Sequence, residues 1–383
     1  MSTYPLSKKI GILGGGQLGK MLCEAASPMD LNTHVLDKDW SFPAATIAKH
    51  FVSGDFKNAE DVFNFGKDLD CVTIEIESVS TEGLRRLAEH GVKTYPGAEQ
   101  LEIIKDKGKQ NEFYHQIGLP SPEFHFFDSK SEILSAIKEG ILSFPFVQKL
   151  RTEGYDGRGV ELIHSEQDLP QLLEGSCITE QLIHIKKELA VIAARNASGE
   201  IKTYDPVEMV FKPKANLVEF LQAPAKISDA IAHETQRMAS KIIRELDMVG
   251  ILAIEFFLDH EDRIYVNEAA PRPHNSGHHT IEACFCSQYE QLLRCILDLP
   301  LGSTRLRSPG VMLNILGAEG HTGPAVTRGA EEVLKEEGTF IHLYGKKETR
   351  PNRKMGHLTV IRDDIDDAVA VARKVKDKIS ITT

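Results

Sequence analysis

The sequence predicts a mixed α/β and α+β chain in three units, spanning residues 1–105, 106–185 and 186–383. Three observations carry that prediction. Short apolar runs alternate with helical segments through the first unit, as crossover helices on a parallel sheet require. Serine-headed capping boxes sit among apolar runs in the second. Two hairpin patterns flank a long helical stretch in the third.

In the first unit the apolar runs place strands at 8–13, 33–37, 70–76 and 92–95, with helices at 17–27, 58–67, 80–90 and 97–105. A helical stretch at 106–117 then stops before "GLPSP", a boundary signal. In the second unit Ser129-x-x-Glu132 and Ser165-x-x-Asp168 each open a helix. Apolar runs at 124–127, 144–150, 160–163 and 177–183 supply its sheet. In the third, "ELAVIAARNASGEIKTY" reads as a hairpin turning at Ala197–Glu200, and a helix covers 229–247. "GILAIEFFLDHEDRIYVNEA" reads as a second hairpin, and a last helix lies near 364–379.

Hydrophobic residues make up 41% of the 383 and charged residues 26%, values that suit a globular protein with buried cores. The net charge of −11 argues against a general nucleic-acid binder, which needs cations to displace counterions. Six cysteines without a C-x-x-C pair read as reduced thiols. No charged-then-apolar leader and no apolar run of about 18 residues stands in the sequence, so the expectation is a cytoplasmic protein with no membrane contact.

Five stretches carry candidate chemistry. "IGILGGGQLGKML" places Gly14-x-Gly16-x-x-Gly19 between a strand and a helix, with Asp37 ending the next apolar run. Such a loop gathers backbone N–H groups and suits an anion, though by itself it is weak evidence for a dinucleotide; the alternative is a tight turn without ligand. "FVQKLRTEGYDGRGVEL" ends a strand at Lys149 and continues into Glu153, Gly154, Tyr155, Asp156, Gly157, Arg158 and Gly159. Its glycines allow close backbone approach, and its cations suit phosphate oxygens.

The third stretch is the 251–268 hairpin. Glu255 interrupts "ILAIEFFL", and Glu268 ends "RIYVNE". A four-residue turn at Asp259–Asp262 puts Glu255 opposite Val266 and Glu268 diagonal to it on the same face. Two such carboxylates repel until one protonates or a hard cation such as magnesium joins them, with Asn267 as a neutral oxygen nearby. The fourth, "APRPHNSGHHT", brings Arg272, His274, Asn275, Ser276 and His278 beside that pair. Its histidine spacing lacks a completed zinc set, and Arg272 and His274 read better as donors to a small planar oxyanion. The fifth, "YGKKETRPNRKMGHL", clusters Lys346, Lys347, Arg350, Arg353 and Lys354, a turn suited to one phosphomonoester.

In this order the motifs resemble the ATP-grasp superfamily. More closely, "GGGQLGKML", "EGYDGRG", "VNEAAPRPHNSGHHT" and "RPNRKMGHLTV" are similar to the 5-(carboxyamino)imidazole ribonucleotide synthases of purine biosynthesis. The resemblance implies an N-terminal Rossmann-like domain, an ATP-grasp lid with its linker helix and a large domain joined to a C-terminal subdomain. The implied reaction is ATP- and bicarbonate-dependent carboxylation of the exocyclic amine of aminoimidazole ribonucleotide, through carboxyphosphate. The alternative is another ATP-grasp ligase acting on a phosphorylated substrate. NAD has no place in that family.

The implied roles follow by position. ATP falls to Lys107, Lys149, the 153–159 loop, Glu180, Gln181, Leu182, Ile183, Glu188, Asn267 and Glu268. Magnesium falls to Glu255 and Glu268, and bicarbonate to Arg272 and His274. The ribonucleotide falls to Gly15, Gln17, Leu18, Glu75, Glu77, Tyr155, Asp156, Arg158, Asn275, Lys346, Arg350 and Arg353. Asp156 is the implied base for the amine proton. Lys107 stands where the family usually has arginine, Ser78 where it often has asparagine, and Phe211 where it often has histidine. The resemblance also implies a homodimer.

Overall fold

The computed structural model describes residues 7–152, 159–211 and 218–383. Glu153, Gly154, Tyr155, Asp156, Gly157 and Arg158 lie outside the described residues, so the roles expected of them rest on the sequence. No described helix is long and apolar enough to cross a membrane.

The first unit is a five-stranded sheet, ordered His50–Ser53, Asn32–Asp37, Lys9–Leu13, Cys71–Ile74 and Lys93–Tyr95. All its neighbours run parallel. The strand His50–Ser53 corrects the four-strand reading. It is a polar edge strand with only Phe51 buried, too short and too wet to leave an apolar signature. The chain reverses direction across the sheet at Lys9–Leu13, whose neighbour Cys71–Ile74 follows on the other side. Crevices in open α/β sheets form at such reversals, beyond the carboxyl ends of the strands. Here those ends lead into Gly14–Gly16 and Glu75–Ser78.

The second unit is an antiparallel sheet ordered Phe124–Phe127, Cys177–Gln181, Phe146–Leu150 and Val160–Ile163. Ser129 caps the helix Lys130–Lys138 by accepting from the Glu132 N–H. The second capping box also forms, but it opens a 3-10 helix, Glu166–Gln171, rather than the expected α-helix. Pro170 lacks an N–H and clashes with an α-turn, which explains the shorter element.

A nine-stranded sheet forms the third unit and continues without interruption into the C-terminal region. From one edge it runs Ile264–Ala270, Gly250–Asp259, Ile185–Arg195, Val207–Phe211 and Val218–Ala223. It continues through Gly310–Leu316 and Lys354–Ile361 to Thr339–Leu343, and Ile201–Thr203 pairs with Ile185–Arg195. Helix Asp229–Glu245 buries Met238, Ala239, Ile242 and Ile243 against it. Helix Ile365–Val375 buries Ala368, Ala372 and Val375 against the C-terminal strands. This shared sheet fixes the basic turn relative to the carboxylate hairpin. All six cysteines are buried free thiols.

Candidate active site

The paired glutamates come together more directly than the sequence suggested. The Asp259 side chain accepts from the Glu261 and Arg263 N–H groups, and the hairpin closes through Asp259 N–H to Arg263 O at 3.0 Å. That turn is one residue longer than expected, so Leu258 faces Ile264 and Phe256 faces Val266. A bulge then shifts the register once more, and Glu255 stands directly opposite Glu268. The expected pairing of Glu255 with Val266 is therefore corrected. Glu188 shares this face, because Ala190 pairs with Glu255 and Glu188 with Phe257.

Two lysines reach this acidic face from outside its ribbon. Asp106 caps helix Lys107–Gln116 and is gripped by Arg151 Nε at 3.0 and 3.2 Å. Lys107 Nζ pairs with Glu268. Lys149, at the end of a lid strand, places Nζ 2.7 Å from Glu180 Oε2 and 2.9 Å from Asn267 Oδ1. The bulged Asn267 thus presents its side chain to the site. Asn111 Nδ2 holds the other Glu180 oxygen at 3.0 Å. The Glu180 carboxylate is consequently committed to Lys149 and Asn111. Gln181 N–H donates to Glu123 O at 2.8 Å, which anchors the chain leading to Leu182 and Ile183.

The charges are unevenly shared. The Lys107 ammonium, outweighing burial, holds Glu268 well below the usual carboxylate range. Burial, reinforced by Glu268 and Glu188, pushes Glu255 up. Burial also pushes Glu188 up to about 7, against the pull of Lys149. Burial alone would lower Lys107, but the Glu268 charge and hydrogen bond prevail and raise it. A cavity of about 230 Å³ opens beside this face, lined by Lys187, Glu188, Glu208 and Phe211 among others. Glu208 bonds Lys187 at 2.6 Å there.

The 270–280 loop does lie beside the pair. His274 Nε2 is 3.6 Å from Glu255 Oε1, and its Nδ1 is 2.8 Å from Ser276 Oγ. Asn275 begins the short 3-10 turn Asn275–Gly277. Arg272 Nη2 reaches Glu77 Oε1 at 2.7 Å, which joins this loop to the first unit. Gln288 brackets His274, accepting from its N–H at 2.9 Å and donating to its carbonyl at 2.8 Å. Nothing in the sequence flagged Gln288 or Asn111, because their partners lie on other elements; in the fold Gly277 makes room for Gln288, since a Cβ there would come 2.4 Å from Gln288 Oε1.

The glycine loop behaves differently. Gly15 N–H donates to Asp37 Oδ2 at 2.7 Å, and Gly16 and Gly19 N–H groups donate to Glu75 at 2.9 and 2.8 Å. Gly14 has φ +104, and a Cβ there would lie 2.3 Å from Glu75 Cγ. The helix N-terminus is therefore occupied by the chain's own carboxylates. Burial raises both of them despite these bonds. The Leu18 side chain packs in the core, while Gln17 is half-buried at the helix start.

The basic turn is ordered and adjoins that helix. Lys20 Nζ donates to Leu343 O at 3.0 Å. Lys346 Nζ donates to Lys354 O and Arg353 Nη1 to Glu348 O, each at 2.7 Å, while Arg350 is exposed. Gly159, the one described residue of the lid loop, has φ +75.

Comparison with known proteins supports one grouping. Residues 7–105 match the ribonucleotide synthetase preATP-grasp domain, 112–289 the ATP-grasp domain and 310–370 the phosphoribosylaminoimidazole carboxylase C-terminal domain. The N5-carboxyaminoimidazole ribonucleotide synthase of Synechocystis sp. is 36% identical over 375 residues, 95% of this chain and 94% of its own. That of Bacillus subtilis is 35% identical over 362 residues, covering 94% and 92%. The N5-carboxyaminoimidazole ribonucleotide synthetase from Thermotoga maritima superposes with a TM-score of 0.90 at 41% identity, over 98% of this chain and 99% of its own. The Aspergillus clavatus N5-carboxyaminoimidazole synthase, in complex with ADP and 5-aminoimidazole ribonucleotide, superposes with a TM-score of 0.88 at 35% identity, covering 97% and 98%.

Proposed function

The chain belongs to the N5-carboxyaminoimidazole ribonucleotide synthase family, and from that premise we propose that it carboxylates the amine of 5-aminoimidazole ribonucleotide, consuming ATP and bicarbonate. The carrying observation is Glu255 directly opposite Glu268, with Lys107 and Lys149 delivered to the same face.

ATP lies between the lid sheet and the large sheet in this reading. The chain at Gln181, Leu182 and Ile183 reads adenine with backbone groups, and Glu188 accepts from the ribose hydroxyls. Lys107 and Lys149, which pair with Glu268 and Glu180, take phosphate oxygens. Glu255 and Glu268, with Asn267 beside them, form an all-oxygen set that fits magnesium, which usually takes one or two protein carboxylates and completes its shell with phosphates and water. Magnesium supplies charge neutralisation of the triphosphate when bound.

Arg272 and His274 orient bicarbonate. Its oxygen forms a bond to the γ-phosphorus as the bond to the ADP oxygen breaks, giving carboxyphosphate. The exocyclic amine then attacks the carboxyl carbon, or the carbon dioxide released from it. The new C–N bond forms, inorganic phosphate departs, and the amine proton passes to Asp156, the base that the family resemblance implies. Arg272 and Lys149 offset charge as it develops. The lid keeps water from an intermediate that hydrolyses readily.

Lys346, Arg350 and Arg353 hold the ribonucleotide phosphate. Gln17, Glu77 and Asn275 border its ring end. Gly15 and Leu18 shape the wall, and Glu75 acts through the loop it pins.

The test is an ADP-release assay with ATP, magnesium, bicarbonate and aminoimidazole ribonucleotide, omitting each in turn. ADP release that requires all four supports the reading. Release indifferent to the ribonucleotide or to bicarbonate overturns it.

A further inference from the structure

The loop carrying Arg272 and His274 and the turn carrying Lys346 and Arg353 meet through a column of stacked imidazoles. His278 closes the first loop, and its ring stacks on His357 with centroids 4.7 Å apart. His357 stacks on His342 at 4.4 Å with only 12° between the rings, and the two pair across neighbouring strands.

Both ends of the column return to the loop segment. Gln288 Nε2 and Tyr289 OH lie 3.2 and 3.1 Å from His278 Nδ1, and this is the Gln288 that brackets the His274 backbone. At the far end Glu282 Oε1 lies 2.6 Å from His342 Nε2. Glu282 belongs to the short helix Thr280–Ala283 that directly follows the loop. In the middle, Tyr344 OH lies 3.1 Å from His357 Nδ1. Tyr344 starts the basic turn, and the Lys346 ammonium stands 5.6 Å from the centre of its ring.

Packing alone does not ask for these residues. His278 and His357 are 2% and 0% exposed, and His357 Nε2 finds no hydrogen-bond partner among the described residues. Leucine or phenylalanine would fill the volume without desolvating imidazole nitrogens. Choices that break a local rule in this way gather where function demands them. Burial, ahead of the neighbouring histidines and Lys354, holds the His278 ring well below its ordinary range; burial, then His278 and His342, does the same for His357. These two rings are uncharged at neutral pH and stack without repulsion.

We propose that the His278–His357–His342 column, with Tyr344 bonded to its middle ring, is a positioning device. It fixes the Lys346–Arg353 turn against the Arg272–His274 loop, and so sets the spacing between the ribonucleotide phosphate and the carboxyl donor. The inference rests on the substrate placement proposed above.

Steady-state ADP release tests it. Wild-type protein is measured first; release that ignores the ribonucleotide overturns the functional reading and this inference together. With that response in hand, Tyr344→Phe deletes one oxygen and keeps the ring. It is expected to raise KM for the ribonucleotide about three- to tenfold, the range of one lost hydrogen bond, with KM for ATP unchanged within about twofold. His357→Phe keeps an aromatic ring in the stack and is expected to show the same selectivity. The double variant should be no worse than His357→Phe, because both changes remove one shared bond. An unchanged ribonucleotide KM in Tyr344→Phe, equal rises in both KM values, or additive effects overturn the proposal while leaving the enzyme's activity assigned. If His357→Phe fails to fold, the KM pair of Tyr344→Phe decides alone.

Discussion

The glycine loop of the first unit and the carboxylate ribbon of the third both announce themselves in the sequence as places for a nucleotide, and they differ in one physical respect. The loop is internally satisfied. Its N–H groups point at Glu75 and Asp37, and its missing Cβ atoms make room for Glu75 itself. The ribbon is not satisfied. It holds three acids on one face, keeps two of them pushed up, and borrows lysines from two other elements to balance the charge. A site that has already supplied its own counter-ion is structural; a site held in electrostatic tension awaits a ligand. The difference also answers why a dinucleotide fingerprint here need not bind a dinucleotide.

The contrast can be broken most severely at Glu268. Glu268→Gln should lower magnesium-dependent ADP formation by at least about 10²-fold, the scale on which charge-stabilising groups act, while far-UV circular dichroism stays unchanged. Near-normal turnover would remove the ribbon from the chemistry.

Next in size is Lys346. If the first-unit crevice takes its anion from the basic turn and not from the glycine loop, Lys346→Ala should raise KM for the ribonucleotide about 10- to 100-fold, the value of one charged hydrogen bond. KM for ATP should stay within about twofold. Equal effects on both substrates would contradict that division.

Gly16→Ala probes the loop from the other side. Its φ of −70 is open to alanine, so the substitution tests crowding alone: the new Cβ would meet Glu75 Oε1 at 2.5 Å. The expected cost is about 1–3 kcal/mol by urea unfolding, with KM for ATP unmoved. A rise in KM for ATP at unchanged stability would restore the loop as a nucleotide site.

The smallest effect sharpens the idea of tension. Glu255, ordinarily near 4.5, is pushed up to about 8 by burial, Glu268 and Glu188. A carboxyl raised in the folded chain binds more protons there than in the unfolded one. The stability it contributes is therefore full below about 4.5 and is lost as pH rises through about 8. Without divalent cation the urea midpoint should fall from pH 6 to pH 8.5, and magnesium should reduce the fall. Glu255→Gln should flatten it in part, since Glu188 is raised as well. An identical slope in wild type and variant would show that Glu255 carries no such strain.

Much of the architecture was legible because periodicity and caps are local. Ser129 and Asp106 stand at real helix starts, and the third-unit hairpins fall where apolar alternation placed them. The presence of two acids in an apolar ribbon was legible for the same reason. Their pairing was not, because it depends on a turn closed by Asp259 and on a bulge at Asn267, neither of which alters the apolar pattern. The role of Glu75 was hidden further, since it acts on glycines 56 and 59 residues away and only the folded sheet brings them together. Gln288 and the histidine column were invisible for the same reason: their partners lie on other elements.

The most direct measurement is a crystal structure of the protein with magnesium and ADP. The account predicts one metal bound about 2.0–2.1 Å from an oxygen of both Glu255 and Glu268, with Lys107 turned from Glu268 to phosphate. A metal that contacts neither acid, or a nucleotide seated against Gly14–Gly19, would contradict it.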